Sequence, residues 1–405
     1  MADKQSYIIG IGPGDQGFLY PLAAKVIKDA DVLIGGKRNL AEYAHLHKKS
    51  LAIDKSLQTI LDYIENNWQK ESIAVLASGD TGLFSIRAYL QKKLPTVPFK
   101  VLPGISSLQY LMARENLSWN EMKIITLHGN DSINLCNTVA ANAVTAIFTG
   151  NGNTPATIGQ KLQNLSYAAL EITVGENLSY PDERIVKGTP QEIAAGKFDD
   201  LNLMIVRNPD VMNRPWTYIT PGMPDDLFCR AEVPMTKSEI RALILSKLRL
   251  RKNSQILEIG AGTGSCTIEM ALAAEEGQVC SLEKNKTAVE LCKSNIARFG
   301  LDNINLIEGV APEDMPPTEI FDRVFIGGSG GNMQKIIGSL RQNNLRLVVS
   351  AITVESVAEA LEAMAAYEFS NIEIVQAAVA RSKKAGSKHL LTALNPITII
   401  SGEKL

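Results

Sequence analysis

The sequence is poor in histidine and has no paired cysteines. Four histidines (His45, His47, His128 and His389) stand singly among 405 residues, and no Ser/His/Asp or Cys/His arrangement accompanies them. They read as surface or structural residues rather than as the base of a nucleophilic triad. Five cysteines, Cys136, Cys229, Cys266, Cys280 and Cys292, form no C-x-x-C pair. An odd number without metal-ligand spacing argues against a metal site and for reduced thiols in a core. Neither sign of charge dominates: 41 Lys+Arg face 43 Asp+Glu, a net charge of -2. A nucleic-acid binder would show a basic stripe, whereas a small polyanion held by a few cations needs none. No run approaches the roughly 18 apolar residues of a spanning helix. The opening MADKQSYIIGIG is too short in its apolar part for a signal segment, so a cytoplasmic location is expected. There is no low-complexity segment, and the two halves are not repeats of each other.

What the chain does have is length for about two domains and a regular alternation of strand and helix signals. SYIIGIG, DVLIG, IAVLASGD, FKVLPG, KIITLHG, TAIFTG, AALEIT and LNLMIVRN read as strands. Between the first two, LYPLAAKVIKDA carries apolar residues at helical spacing. Strands so uniformly apolar are buried on both faces, which points to a mostly parallel sheet covered by helices. The alternation breaks over residues 208–226, where Pro209, Pro215, Pro221 and Pro224 punctuate an aperiodic stretch, so residues 209–222 are read as a linker. Beyond it, PMTKSEIRAL predicts a helix with Thr236 as N-cap and Glu239 three residues later. Strands are then expected at 255–259, 278–283, 304–308, 322–326, 345–351, 371–380 and 397–401. No helix separates the last two, so an antiparallel hairpin should finish the sheet.

Two glycine-rich turns follow strands: YIIGIGPGD at residues 7–15 and ILEIGAGTG at 256–264. Neither is followed by G-K-[ST], and Pro13 removes an N-H that a phosphate nest would use. A dinucleotide fingerprint would need glycine where Asp15 and Ser265 stand, which disfavours a nicotinamide-dependent oxidoreductase. In the second turn Gly260, Gly262 and Gly264 leave backbone free of Cβ atoms, and Glu283 ends the next strand, where its carboxylate can accept both ribose hydroxyls of a nucleoside. A bare strand-to-helix turn is the alternative. Glu258 is open to a capping or salt-bridge role.

The motifs PDDLF (224–228), PMTKSEIRAL (234–243), LEIGAGTGSCTIEMA (257–271), IEGVAPE (307–313) and FIGGSGG (325–331) give residues 223–405 a resemblance to the class I S-adenosylmethionine (SAM) methyltransferases. More narrowly, they resemble the precorrin methyltransferase-decarboxylases of the cobalamin (vitamin B12) pathway. That resemblance implies SAM contacts at Thr236, Gly260, Ala261, Gly262, Thr263, Gly264, Glu283 and Ala311. Val310 stands where the family often has an acidic residue. Residues 1–208 are similar to the tetrapyrrole methylases, in particular the precorrin members, through GIGPGD (10–15), ASGDTGLF (77–84), LPGISSLQYL (102–111), TGNGNTP (149–155) and GENLSYPDERI (175–185). Here the implied SAM contacts are Pro13, Ser78, Gly79, Asp80, Leu83, Ser106, Ser107, Thr149 and Leu178, with Thr81 where many relatives carry proline.

The expected fold is therefore α/β in two domains: a tetrapyrrole methylase fold of two α/β subdomains, then a seven-stranded Rossmann-like class I methyltransferase. The resemblance implies methylation of a precorrin or cobalt-precorrin at meso positions 5 and 15, with loss of CO2 from an acetate side chain. Position 5 would fall to the first half, position 15 and the decarboxylation to the second. Gly12, Gly14 and Asp15 would line the cleft where the macrocycle meets the donor. Asp15 is open to being a helix N-cap or a substrate-facing acid, and Asp80 divides similarly. Gly328, Ser329, Gly330 and Gly331 would grip a ring carboxylate. Lys237 and Arg241, one turn apart, either meet further ring carboxylates or form a solvated helix face. Relatives of the second half imply a homo-oligomer, a tetramer. A fused pair of methyltransferases acting on RNA or protein is the alternative, disfavoured by the near-neutral charge and the lack of an N/D-P-P-Y-type motif. A non-catalytic SAM sensor would not need two donor sites.

Overall fold

The computed structural model describes residues 4–53, 56–128, 134–150 and 152–405. Backbone contacts divide them into two compact units. The first comprises the described residues up to His128 with Val144–Gly159 and Glu171–Arg207; the second comprises Asn134–Ala143, Gln160–Leu170 and Asn208–Leu405.

The first unit holds two five-stranded sheets. In chain order their strands are β1 (Ser6–Gly10), β2 (Val32–Gly35), β3 (Lys49–Ala52), β4 (Ile73–Ala77), β5 (Lys100–Leu102), β6 (Lys123–Thr126), β7 (Val144–Phe148), β8 (Glu171–Glu176), β9 (Arg184–Gly188) and β10 (Asn202–Arg207). One sheet runs β3-β2-β4-β1-β5 and is parallel throughout. Its central strands are buried on both faces because helices such as Leu57–Asn67 lay Ile60, Leu61 and Ile64 against it, the i, i+1, i+4 spacing of a single helical stripe. The other sheet runs β6-β7-β10-β8-β9, and only its β6/β7 pair is parallel. The apolar strands of this sheet are buried as expected, but burial constrains how many faces are covered and not the direction of pairing.

The parallel order of the first sheet gathers the turns after β1, β4 and β5 at one edge. Gly12 and Gly79 exchange backbone hydrogen bonds (Gly79 N to Gly12 O, 2.9 Å). A Cβ on Gly104 would collide with Gly79 O and lie 2.7 Å from Gly10 C. Gly104→Ala is therefore expected to destabilise the first unit by about 1–3 kcal/mol, read as a lower midpoint in a calorimetric melt.

The second unit is built on β11 (Gln255–Ile259), β12 (Gln278–Glu283), β13 (Ile304–Glu308), β14 (Arg323–Ile326), β15 (Leu345–Ala351), β16 (Ser370–Ala377), β17 (Ala380–Ala385), β18 (Lys388–Ala393) and β19 (Ile397–Lys404). Seven of these form one sheet in the order β13-β12-β11-β14-β15-β19-β16, with β19 antiparallel to both its neighbours. The seven expected strands are all present. The chain between β16 and β19 adds a separate exposed two-stranded hairpin, β17/β18. Strand order reverses between β11 and β14, which opens a crevice at the carboxyl ends of those strands, the usual ligand position in a sheet of this kind.

Candidate functional site

That crevice is a cavity of about 660 Å³ lined by Gly260, Gly262, Glu283, Lys284, Ala311, Gly328, Ser329 and Gly330, among others. Its floor is backbone. Gly260 has φ +82°, and a Cβ there would stand 2.8 Å from Gly328 N, so the turns after β11 and β14 touch main chain to main chain. Four amides of the glycine turn are already engaged: Gly260 N and Ala261 N donate to Leu282 O (2.9 and 3.1 Å), Gly264 N donates to Ala261 O (2.9 Å) and Gly262 N to Glu283. The turn therefore offers space and shape rather than a phosphate nest. Glu283 closes one side of the cavity, accepting from Gly262 N and Asn285 N at 2.8 Å each. Each carboxylate oxygen keeps a second lone pair beyond the one serving the turn.

A second cavity, of about 360 Å³, adjoins the first and shares Pro234, Gly260 and Gly262 with it. Thr236, Lys237, Ala261 and Thr263 line this second space and not the first. Gly264 lines neither, and its missing Cβ makes room for Cys292. Gly331 also lies outside both linings, with φ +88°.

Two expectations for the helix here are corrected. The helix is Ser238–Leu248 and its N-cap is Lys237, not Thr236, with no side-chain cap of its own; Ser238 N donates instead to Asp225 Oδ1 at 3.1 Å. Arg241 is neither on a solvated face nor available to a ring carboxylate. It is fully buried and donates to Glu269 Oε1 (2.6 Å), Asp225 Oδ1 (3.0 Å) and the carbonyls of Thr236 and Met223. Burial works against ionisation of Asp225, but its bonds to Arg381 and Arg241 win and hold its carboxyl below the usual range.

In the first unit most of the expected residues lie in or beside the joined turns, whereas Thr149 and Leu178 follow β7 and β8 of the other sheet. Asp80 accepts from Gly82 N (2.7 Å) and Gly104 N (3.0 Å), so it pins the turns after β4 and β5 together. Gly79 packs on Ser106 Cα, 3.3 Å from where its Cβ would be. Ser106 forms a capping box with Gln109 for the helix that Ser107 begins. Ser78 Oγ meets Asn39 (3.1 Å), and Thr149 donates to Asn202 Oδ1 (2.7 Å). Leu83 and Leu178 share one apolar cluster. Asp15 is an N-cap, accepting from Gly17 N at 2.6 Å, and its own amide donates to Ser179 Oγ (2.9 Å). Gly14, between Pro13 and Asp15, packs against the Tyr180 ring.

A family model described as tetrapyrrole (corrin/porphyrin) methylases matches residues 6–194, and one described as a precorrin methyltransferase domain matches residues 226–404. A protein of Saccharolobus solfataricus named "Probable cobalt-precorrin-6B C(15)-methyltransferase (decarboxylating)" is 44% identical over 196 residues, 47% of this chain and 98% of its own length. The chain belongs to the precorrin methyltransferases. Among solved structures, a precorrin-6Y C5,15-methyltransferase of Geobacter metallireducens GS-15 is 33% identical, covering 46% of this chain and 97% of its own, with a TM-score of 0.43. A precorrin-6Y methylase of Archaeoglobus fulgidus is 20% identical over 50% of this chain and 98% of its own, TM-score 0.42.

Within this member of the family, two cavity-lining residues were not legible in the motifs. Lys284 lines the first cavity, with Nζ 2.9 Å from where a Cβ on Gly330 would lie; its position directly after Glu283 was the available signal. Glu258, open to capping or ion pairing on sequence grounds, does neither among the described residues. It is fully buried at the wall of the second cavity, with Oε2 accepting from Ser281 Oγ (2.6 Å) and Thr267 Oγ1.

Proposed function

We propose that the chain is a SAM-dependent C-methyltransferase that methylates a precorrin or cobalt-precorrin at meso positions 5 and 15 and removes CO2 from the ring C acetate. Residues 1–208 carry the 5-methylation and residues 223–405 carry the 15-methylation and the decarboxylation, with 209–222 as the linker. The observation that supports this reading best is the cavity at the strand-order reversal. Its glycine floor admits a ligand against bare backbone, Glu283 retains lone pairs for ribose hydroxyls, and the half that builds it matches nearly the whole length of a cobalt-precorrin C(15)-methyltransferase. In the first unit the cradle is Pro13, Ser78, Gly79, Asp80, Leu83, Ser106, Ser107, Thr149 and Leu178, with Gly12, Gly14 and Asp15 toward the substrate.

The donor supplies an electrophilic sulfonium methyl, and the macrocycle supplies an electron-rich meso carbon. The protein's part is to hold the two in line and keep water out, worth roughly 7–11 kcal/mol. Gly328, Ser329 and Gly330, beside the Lys284 ammonium, take a ring carboxylate at the mouth of the donor cavity. Lys237 presents its charge to the second. The small-molecule substrate fits a surface of near-neutral charge, and no described helix is long and apolar enough to cross a membrane. We place the enzyme in the cytoplasm as a homo-oligomer, a tetramer, which light scattering behind size exclusion tests.

Incubation with SAM and the reduced precorrin, metal-free and cobalt-loaded, should yield a product with two added methyl groups and one CO2 lost by mass. A product with no methyl gained on either substrate, while RNA or protein is methylated, would overturn the reading.

A further inference from the structure

The chain between the PDDLF and PMTKSEIRAL motifs supplies a wall of the first cavity. Ala231, Glu232, Val233 and Pro234 line it together with Gly260, Gly262 and Glu283, so residues 229–234 form a strap at the cavity. Burial fixes both ends of the strap: Phe228 stacks on Phe299 with ring centroids 5.5 Å apart, and Met235 is buried. Between these anchors the chain is largely exposed, and Val233 N donates within the strap to Arg230 O (3.0 Å). Among the described residues, the strap's hydrogen bonds to the rest of the unit run through one side chain. Asn295, fully buried on helix Lys286–Phe299, accepts from Cys229 N and donates to Cys229 O, at 2.8 Å each. It also donates to Thr263 O in the glycine turn, again at 2.8 Å. Both donors of the amide are thus in use, one on the strap and one on the turn. Strap and turn approach each other directly as well, since a Cβ on Gly262 would lie 3.4 Å from Pro234 O.

We propose that Asn295 is a positioning residue for the methyl donor: it ties the strap to the glycine turn, so that two walls of the first cavity are set by one amide. This rests on the donor binding proposed above for that cavity. Asn295 lines neither cavity, so it acts through Cys229 and Thr263 and touches no reacting atom. The task suits an asparagine. Aspartate would set a carboxylate against two carbonyl oxygens, and an apolar residue would leave Cys229 N, Cys229 O and Thr263 O without their partner. Exposed backbone held at one point opens readily, and a donor in contact with the strap favours its closed position. The linkage is reciprocal: a loosened strap weakens the donor, and a bound donor quiets the strap.

The test is Asn295→Ala in the full chain, read by SAM titration and by hydrogen exchange of the peptide spanning residues 228–236. Loss of three hydrogen bonds should weaken SAM at one of its two sites by about 10–100-fold and leave the other unchanged. In 15-methylation the loss should fall on KM for SAM, with kcat at saturating SAM within about threefold of wild type. Strap amides should exchange about tenfold faster in N295A while β11 and β12 keep their wild-type protection. In the wild type, saturating SAM should slow exchange of the strap. Unchanged SAM affinity at both sites of N295A would overturn the proposal. So would a uniform rise in exchange across the second unit with kcat and affinity lost together, which would make Asn295 a core residue only. A wild type that binds no SAM in the second unit overturns the functional reading and this one with it, whereas SAM that protects the glycine turn but not the strap overturns this one alone. If N295A fails to fold, that wild-type comparison decides.

Discussion

Gly260→Ala is expected to remove one of two SAM-binding sites and to slow 15-methylation and decarboxylation by more than about 100-fold, leaving 5-methylation in place. At φ +82° an alanine is strained by about 1–2 kcal/mol. Its Cβ would also stand 2.8 Å from Gly328 N and 3.0 Å from Gly328 O, which are main-chain atoms that cannot rotate away. Overpacking of this kind costs about 1–3 kcal/mol. If relieved by separating the two turns, the sum of about 3 kcal/mol falls on the cavity floor and corresponds to roughly two orders of magnitude in affinity. Mass analysis of the product checks this: the variant should add a single methyl and retain the acetate. A variant that still adds two methyls and loses CO2 at the wild-type rate would show that the cavity between Gly260 and Gly328 is not where the second methylation occurs.

Arg241→Met should destabilise the second unit by about 3–5 kcal/mol, the cost of stranding buried partners of a lost charge. Arg241 is the cation between Glu269 and Asp225, and it lies over the Phe228 ring at 4.9 Å. Glu269 in turn accepts from Gly222 N (2.6 Å) and Met223 N (3.0 Å). The network thus fastens residues 222–225 to helices Ser238–Leu248 and Ser265–Ala273. For a unit of this size the loss lowers the melting midpoint by roughly 6–20 °C, readable by circular dichroism. Adding Glu269→Gln should recover part of it by removing one uncompensated charge. A drop of less than about 1 kcal/mol would contradict the network's structural role.

Much of this was legible in the chain. The apolar runs give the central strands of each unit, and the seven strands of the second sheet fall where their pattern places them. The elements that escaped, β3, β9 and the β17/β18 hairpin, are short or lie largely exposed, so no buried face stamps a period on them. Arg241 was misplaced for a different reason. Helical spacing puts it one turn from Lys237, but whether it meets solvent is decided by Asp225 and Glu269, which are distant in sequence. Thr236 has the chemistry of an N-cap, yet the Asp225 carboxylate reaches the helix amide first. Glu258 looks like any acid before a glycine turn, and only three-dimensional packing leaves one of its oxygens without a partner among the described residues.

The central claim is that each half of the chain holds its own SAM. Isothermal titration of the full-length protein with SAM or its demethylated product tests it most directly. The account predicts two equivalents per chain, falling to one in Gly260→Ala; a single equivalent in the wild type would contradict it.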